Sequence, residues 1–209
     1  MNIIDSLRWR YATKKFDNDK TLPQEKIDTL TEAFNLTATS YGLQPLKLIV
    51  ISNKELQGKL TAHSWNQQQV VDASHVLVFC IENKIDEEYI TEHFNNVKTV
   101  RDTPDEILNP FKEQLVSSFK DKKIEEVTSW AAKQAYLAMG NLLTVCAIEK
   151  IDACPMEGFV PEKYNEILEL HKLGLSSILV MPVGYRAKDD MFSELKKVRR
   201  PIQDTVITL

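Results

Sequence analysis

The sequence predicts an α+β fold in which helices wrap a small central sheet. Three observations lead there. Stretches with apolar residues at helical spacing outnumber the short apolar runs rich in β-branched residues. The two kinds do not follow one another as regular β-α-β units. The 209 residues are 43% apolar and 27% charged, with no repeat or linker-like tract, so one domain over residues 1–209 is expected.

Taken in order, residues 2–9 are expected to form a helix with Ile3, Ile4 and Leu7 on one face. Leu22-Pro23 starts a second helix with proline near its first turn and Ile27, Leu30 and Phe34 as its buried stripe. A loop rich in Thr, Ser and Gly covers 37–44. Residues 46–52 and 76–81 read as strands buried on both faces. Residues 84–122 are charged and weakly periodic, helical but broken at Pro104 and Pro110. The strongest helix spans 124–149, its stripe made by Ile124, Val127, Ala131, Ala138, Leu142 and Val145. Gln134 and Asn141 lie on or beside that stripe, and a polar group on a buried face needs a partner. A helix over 161–170, a buried strand over 177–184 and a short fourth strand at Val206-Ile207-Thr208 complete the reading.

Bulk properties remove several function classes. A net charge of −4 argues against a nucleic-acid binder, whose mark is a strongly basic face. No apolar run approaches the roughly 20 residues of a membrane span. The first residues, Met1 to Leu7, carry an acid and no small-residue cleavage site, so a cytoplasmic protein is expected. Cys80, Cys146 and Cys154 form no CxxC, and the first two sit in apolar runs as reduced core residues. His63, His75, His93 and His171 are widely separated, so no metal site is expected, and His75 reads as a structural residue at a strand edge. The six glycines make neither GxGxxG nor a P-loop. Any phosphate must therefore be gripped by side chains.

That directs attention to cations at the two ends of the chain. Arg10 and Lys14 are four apart and point the same way in helical or turn geometry. Lys197 and Arg199 are two apart, on one side of an extended segment. Separately they are ordinary solvated charges; brought together they make a charge-assisted phosphate site. The segment Pro155-Met156-Glu157-Gly158 reads on its own as a turn between helices. Cys154 beside it has no nearby base in the sequence to make it a nucleophile.

Six pieces in this order resemble the FMN-dependent nitroreductase family over essentially the whole chain, close to its oxygen-insensitive bacterial nitroreductases and dihydropteridine-reductase-like enzymes. They are Arg10-Tyr11-Ala12-Thr13-Lys14-Lys15-Phe16, the Gln44-Pro45 loop, Asp72-Ala73-Ser74-His75-Val76, the stretch from Trp130 to Leu137, Pro155-Met156-Glu157-Gly158-Phe159, and Lys197-Val198-Arg199-Arg200-Pro201. The resemblance implies a small mixed sheet wrapped by helices in an intertwined homodimer. It implies that Arg10, Lys197 and Arg199 hold the FMN phosphate, with Tyr11 and Ala12 in the same cofactor-binding motif. Lys14 would reach the pyrimidine edge of the flavin, where negative charge gathers on reduction, together with Asn66 and with Gln69 at a family lysine position. Gln134 would contact the flavin from the long helix, and Pro155, Met156, Glu157 and Gly158 would line its ring near N5. Ala38, Thr39, Ser40 and Gly42 would come from the other subunit.

The chain departs from the family pattern at several of these positions. Tyr11-Ala12 stand where His-Ser is usual, Gln69 replaces a lysine, Gly42 an asparagine and Ala38 a proline. A pocket-covering aromatic maps near Leu115 or Val116, with Phe119 close by. The implied activity is two-electron, ping-pong transfer from NADPH or NADH through the flavin to nitroaromatics, quinones or similar electron-poor acceptors. No catalytic side chain is required, because the flavin carries the chemistry. The alternatives are a reductase specific for a dihydropteridine or an enone, a flavin-binding protein without turnover, and a structural α+β dimer in which the motifs are chance.

Overall fold

A computed structural model describes residues 2–209. Helix α1 spans Ile3–Trp9 and begins where the Asn2 side chain accepts from the Ile4 N–H at 2.9 Å. Its Ser6 is buried, whereas Ile3, Ile4 and Leu7 all stand exposed. Helix α2, Gln24–Asn35, starts directly after Pro23 and buries Ile27 and Leu30. Helix α3, Lys54–Thr61, was not legible in the sequence; Asn53 caps it by accepting from the Leu56 N–H at 2.9 Å. A short α4 follows at Gln69–Asp72.

The sheet holds β1 (Leu46–Ile51), β2 (His75–Glu82), β3 (Asp152–Ala153) and β4 (Leu175–Gly184) in the order β1-β2-β4-β3. Every strand pair is antiparallel, which corrects the expected mixed sheet; the parallel contact is a single bridge between Ala12 and Ala153. Strand β1 pairs only with β2, Leu46 facing Ile81 and Ile51 facing Val76. As an edge strand it leaves Lys47 and Val50 exposed, so the expectation of burial on both faces fails there. It holds for β2, which lies between β1 and β4.

Two core clusters cover the two faces of β2. Leu77, Phe79 and Ile81 pack with Ile27, Leu30, Ala131, Ala135 and Leu142. Val76, Val78 and Cys80 pack with Phe16, Leu60, Val70, Phe159 and Tyr164. The alternation follows from the two-residue period of a strand.

Helices α5 (Glu87–Arg101) and α6 (Asp105–Lys120) form an antiparallel pair beside the core. Pro104 ends the gap between them as expected, but Pro110 sits inside α6 without breaking it. At the sixth residue of α6 it forfeits one backbone bond, the one an N–H there would give to the Glu106 carbonyl, and the helix continues through it. Helix α7, Ile124–Ile148, buries Ala131, Gln134, Ala135, Ala138, Met139, Leu142, Cys146 and Ala147. Ile124, expected on that stripe, is exposed at its first turn. Helix α8, Pro161–Ile167, carries its proline at the first position. Residues 206–208 form no strand: after a 3-10 turn at Ile202–Asp204 the chain ends as an exposed segment. Among the described residues no helix is long and apolar enough to cross a membrane.

Candidate active site

The segment Arg10–Phe16 leaves α1 and runs along the β3 edge of the sheet. Ala12 bridges Ala153, the Thr13 N–H donates to the Ala153 carbonyl at 3.3 Å, and Phe16 bridges Arg186. A buried carboxylate fixes this path. One oxygen of Asp190 accepts from the Tyr11 hydroxyl at 2.8 Å and from the backbone N–H groups of Lys14 and Lys15 at 3.0 and 3.1 Å. Its other oxygen accepts from the Phe192 N–H at 3.1 Å. Burial alone would raise the Asp190 pKa, but the Tyr11 hydroxyl and these backbone donors hold it below the ordinary value. Burial, then the bond to Asp190, pushes the Tyr11 phenol up. The clamp ties the N-terminal motif to a segment 179 residues away in sequence.

A second pair supports it from below. The Arg186 guanidinium donates to Asp152 through Nε at 2.7 Å, and its carbon stacks 4.3 Å from the Trp9 ring centroid and 4.5 Å from that of Tyr11. The Arg10–Lys14 path is thus held by Asp190 and Arg186, two residues that carried no short-range signal in the sequence.

The C-terminal segment then closes over the motif. Arg10, Tyr11, Ala12, Lys14, Pro155, Lys197 and Arg199 line one cleft of about 460 Å³. The Lys197 ammonium donates to the Arg10 carbonyl. Among the described residues none of Arg10, Lys14, Lys197 and Arg199 forms an ion pair with a carboxylate, although eleven other Lys and Arg side chains do. Burial, then the Arg199 charge, lowers the Arg10 pKa; burial, then Arg10 and Arg199, lowers that of Lys197. A cleft whose own cations repel one another is suited to a bound anion.

Gln69 adjoins this cleft through Cys154. Its sulfur lies 3.9 Å from both the Lys14 ammonium and the Gln69 amide nitrogen. Burial pushes the Cys154 thiol above its ordinary pKa, which agrees with a thiol rather than a nucleophile. Gln69 donates to Gln67 at 2.9 Å, and Gln67 donates to the Gly158 carbonyl at 3.1 Å. Met156 exchanges backbone hydrogen bonds with Val180 and the Cys154 N–H donates to the Pro182 carbonyl, so residues 154–156 extend the sheet before the chain turns at 157–159. A Cβ on Gly158 would stand 2.9 Å from the Trp65 ring, so glycine is needed for this approach. Trp65 and Asn66 both take positive φ, 53° and 54°, and both are exposed.

Ala38, Thr39, Ser40, Gly42 and Gln134 form a separate group. The Ser40 N–H donates to the Gln134 side-chain oxygen at 2.9 Å, and the Gln134 amide donates to the Trp130 carbonyl at 3.0 Å. Asn141 donates to Thr37 at 2.9 Å and to the Ala33 carbonyl at 3.1 Å. Both polar residues of α7 therefore find partners inside the chain, and together they hold residues 37–40 on that helix. Among the described residues no hydrogen bond joins this group to the cationic cleft. Leu115 and Phe119 are core residues; the aromatic of α6 that reaches the surface is Phe111, whose ring lies 6.5 Å from that of Tyr41.

The sequence profile of the nitroreductase family matches residues 7–185 of this chain. The chain belongs to the nitroreductase family. It is 34% identical over 205 residues to a Staphylococcus epidermidis protein provisionally named an NAD(P)H nitroreductase, covering 93% of this chain and 92% of that one. A Staphylococcus aureus protein with the same provisional name is 32% identical over 217 residues, covering 98% and 94%. This family member also shares its fold with a provisionally named nitroreductase from Bacillus subtilis, TM-score 0.88 at 17% identity, covering 99% and 98% of the two chains. One from Exiguobacterium sibiricum, solved in complex with FMN, gives a TM-score of 0.84 at 17% identity, covering 100% and 98%.

Proposed function

We propose that this nitroreductase-family protein is a flavin oxidoreductase that holds FMN and passes two electrons from NADPH or NADH to an electron-poor acceptor such as a nitroarene or quinone. The observation that carries the reading is the cleft of Arg10, Lys14, Lys197 and Arg199, free of any carboxylate partner among the described residues. Its donor set fits a phosphate dianion, and the glycine approach at Gly158 fits a flat ring against backbone. Bound FMN would supply the hydride chemistry. Arg10, Lys197 and Arg199 would neutralise its phosphate; Lys14 and Gln69, which both reach Cys154, would bring positive charge and an amide donor to one ring edge, where Asn66 would join them. Residues 155–158 would present backbone along the other side, held by Val180 and Gln67.

A homodimer belongs to the same proposal. The surface groove beside α7 is lined by Leu36, Ala38, Tyr136, Leu137 and Gly140, and its three large side chains, Leu36, Tyr136 and Leu137, are at least half exposed. Ala38, Thr39, Ser40 and Gly42 lie on this side, so a second copy seated on α7 would bring its own loop toward the cleft. A second reading, a reductase selective for a dihydropteridine or an enone, draws on α6, which is one ordered helix and would wall the acceptor pocket.

The test is anaerobic mixing of the purified protein with NADPH and with NADH while flavin absorbance is followed, beside a molar-mass measurement in solution. Rapid bleaching that a nitroarene or quinone reverses, on a particle of twice the chain mass, is the expected result. A bound flavin that neither donor reduces would overturn the reductase reading in favour of a flavin carrier, and a monomer would overturn the shared site.

A further inference from the structure

Glu157 is the one acid among the residues nominated for the site, and its backbone is unusually constrained. Met156 before it is locked to Val180 by two hydrogen bonds of 2.8 and 3.1 Å. Gly158 after it is held by Gln67 through its carbonyl at 3.1 Å, and Trp65 lies against its α-carbon. The Phe159 N–H donates to the Glu157 carbonyl at 2.9 Å, closing the turn. With the backbone fixed, only the side chain can choose a direction, and its carboxylate accepts from the Tyr136 hydroxyl of α7 at 2.9 Å. No cation shares this carboxylate among the described residues, and Glu157 is not among the residues that line the cationic cleft. Tyr136 is half exposed, and its phenol pKa is raised first by this bond.

We propose that Tyr136 is a positioning residue that tethers and partly neutralises the Glu157 carboxylate, and so sets the reduction potential of the flavin held against residues 155–158. The inference rests on the flavin reading above. A reduced flavin gains negative charge, so a nearby bare carboxylate opposes reduction and an ammonium favours it. A hydroxyl donating to that carboxylate draws off part of its charge and keeps it on the helix. Losing the hydroxyl leaves the charge undamped and the side chain free to swing over the ring. The potential then falls. Removing the carboxylate itself has the opposite sign.

The test is spectroelectrochemical titration of bound FMN in wild type, Tyr136→Phe, Glu157→Gln and the double variant, with FMN stoichiometry measured on each. Tyr136→Phe is expected to lower the midpoint potential and to cut the equilibrium ratio of reduced to oxidised flavin about threefold or more at a fixed donor ratio. Glu157→Gln is expected to raise it, and the double variant to match Glu157→Gln because Tyr136 acts through Glu157. An unchanged potential in Tyr136→Phe with full flavin content would overturn the proposal alone. So would a double variant that keeps the downward shift, since Tyr136 would then act without Glu157. A wild-type protein that binds no FMN at all would overturn the flavin reading beneath it.

Discussion

Replacing Lys197 and Arg199 together by alanine is the most direct perturbation of the cationic cleft. Each charge-assisted hydrogen bond to a phosphate contributes on the order of 1.5–3 kcal/mol. Arg199 is exposed and Lys197 mostly so, which puts both near the lower end after solvent screening. Their joint loss should therefore weaken FMN binding by about 3 kcal/mol, or about 100-fold in Kd. The fold should hardly notice. The Lys197 bond to the Arg10 carbonyl is lost, but so is the repulsion that helps to depress the pKa of Arg10. Quenching of flavin fluorescence on titration into the flavin-free protein measures the first effect, and thermal unfolding of the same flavin-free sample measures the second. Added salt should weaken wild-type binding more steeply than that of the variant, because fewer screened charges remain in it. A double variant that keeps its flavin at wild-type affinity would refute the phosphate assignment. A variant that loses flavin because it has unfolded would show it in the thermal scan.

Asp190→Asn should destabilise the protein by about 2–3 kcal/mol, because one carboxylate oxygen that accepts three hydrogen bonds becomes a competing donor or loses its charge. The folded Asp190 pKa is depressed, so its stabilisation is complete above the unfolded value near ~4 and is lost as pH falls below it toward the folded value. Urea unfolding between about pH 5 and 2 should thus show a shallower decline for the variant; parallel declines would contradict the clamp. Gly184→Ala should cost about 1–3 kcal/mol, since its Cβ would stand 3.0 Å from the Ser74 backbone nitrogen and 3.1 Å from the Phe16 ring. Gly58→Ala in α3 meets nothing within 4 Å and should stabilise by roughly 0.5–1 kcal/mol. The reverse ranking in denaturant midpoints would contradict the packing described at the end of β4.

The sequence made some of these elements legible and hid others, for identifiable reasons. Helix α7 announced itself because its period runs over 25 residues, and β2 because an uninterrupted apolar run marks a strand covered on both faces. Strand β1 carries a similar apolar run yet lies at an edge, and composition alone cannot distinguish the two positions. Strand β3 has two residues, too short for any periodic signal, and exists only because β4 offers it an edge. Helix α3 is mostly polar and is held by its Asn53 cap and the burial of Gln57, Leu60 and Thr61. Residues 206–208 have strand-like composition but meet no partner strand in the chain.

The candidate site divides in the same way. The residue types of Arg10, Lys14, Lys197 and Arg199, the missing glycine motifs and the lack of a nucleophile with a base could all be read from the chain, because they are matters of chemistry and local spacing. So could the need of Gln134 and Asn141 for partners, since a polar group on an apolar stripe must be satisfied wherever the helix packs. That the two ends of the chain meet was a matter of tertiary structure. It depends on Asp190 gathering Tyr11, Lys14 and Lys15, and on Arg186 stacking beneath them, contacts that span well over a hundred residues. Only folding decided that Gln134 holds Ser40 of its own chain and that Tyr136 rather than a cation takes the Glu157 carboxylate. Local sequence sets what a residue can donate, accept or bury; which partner it finds is set by long-range closure of the chain, and no spacing rule reaches that far.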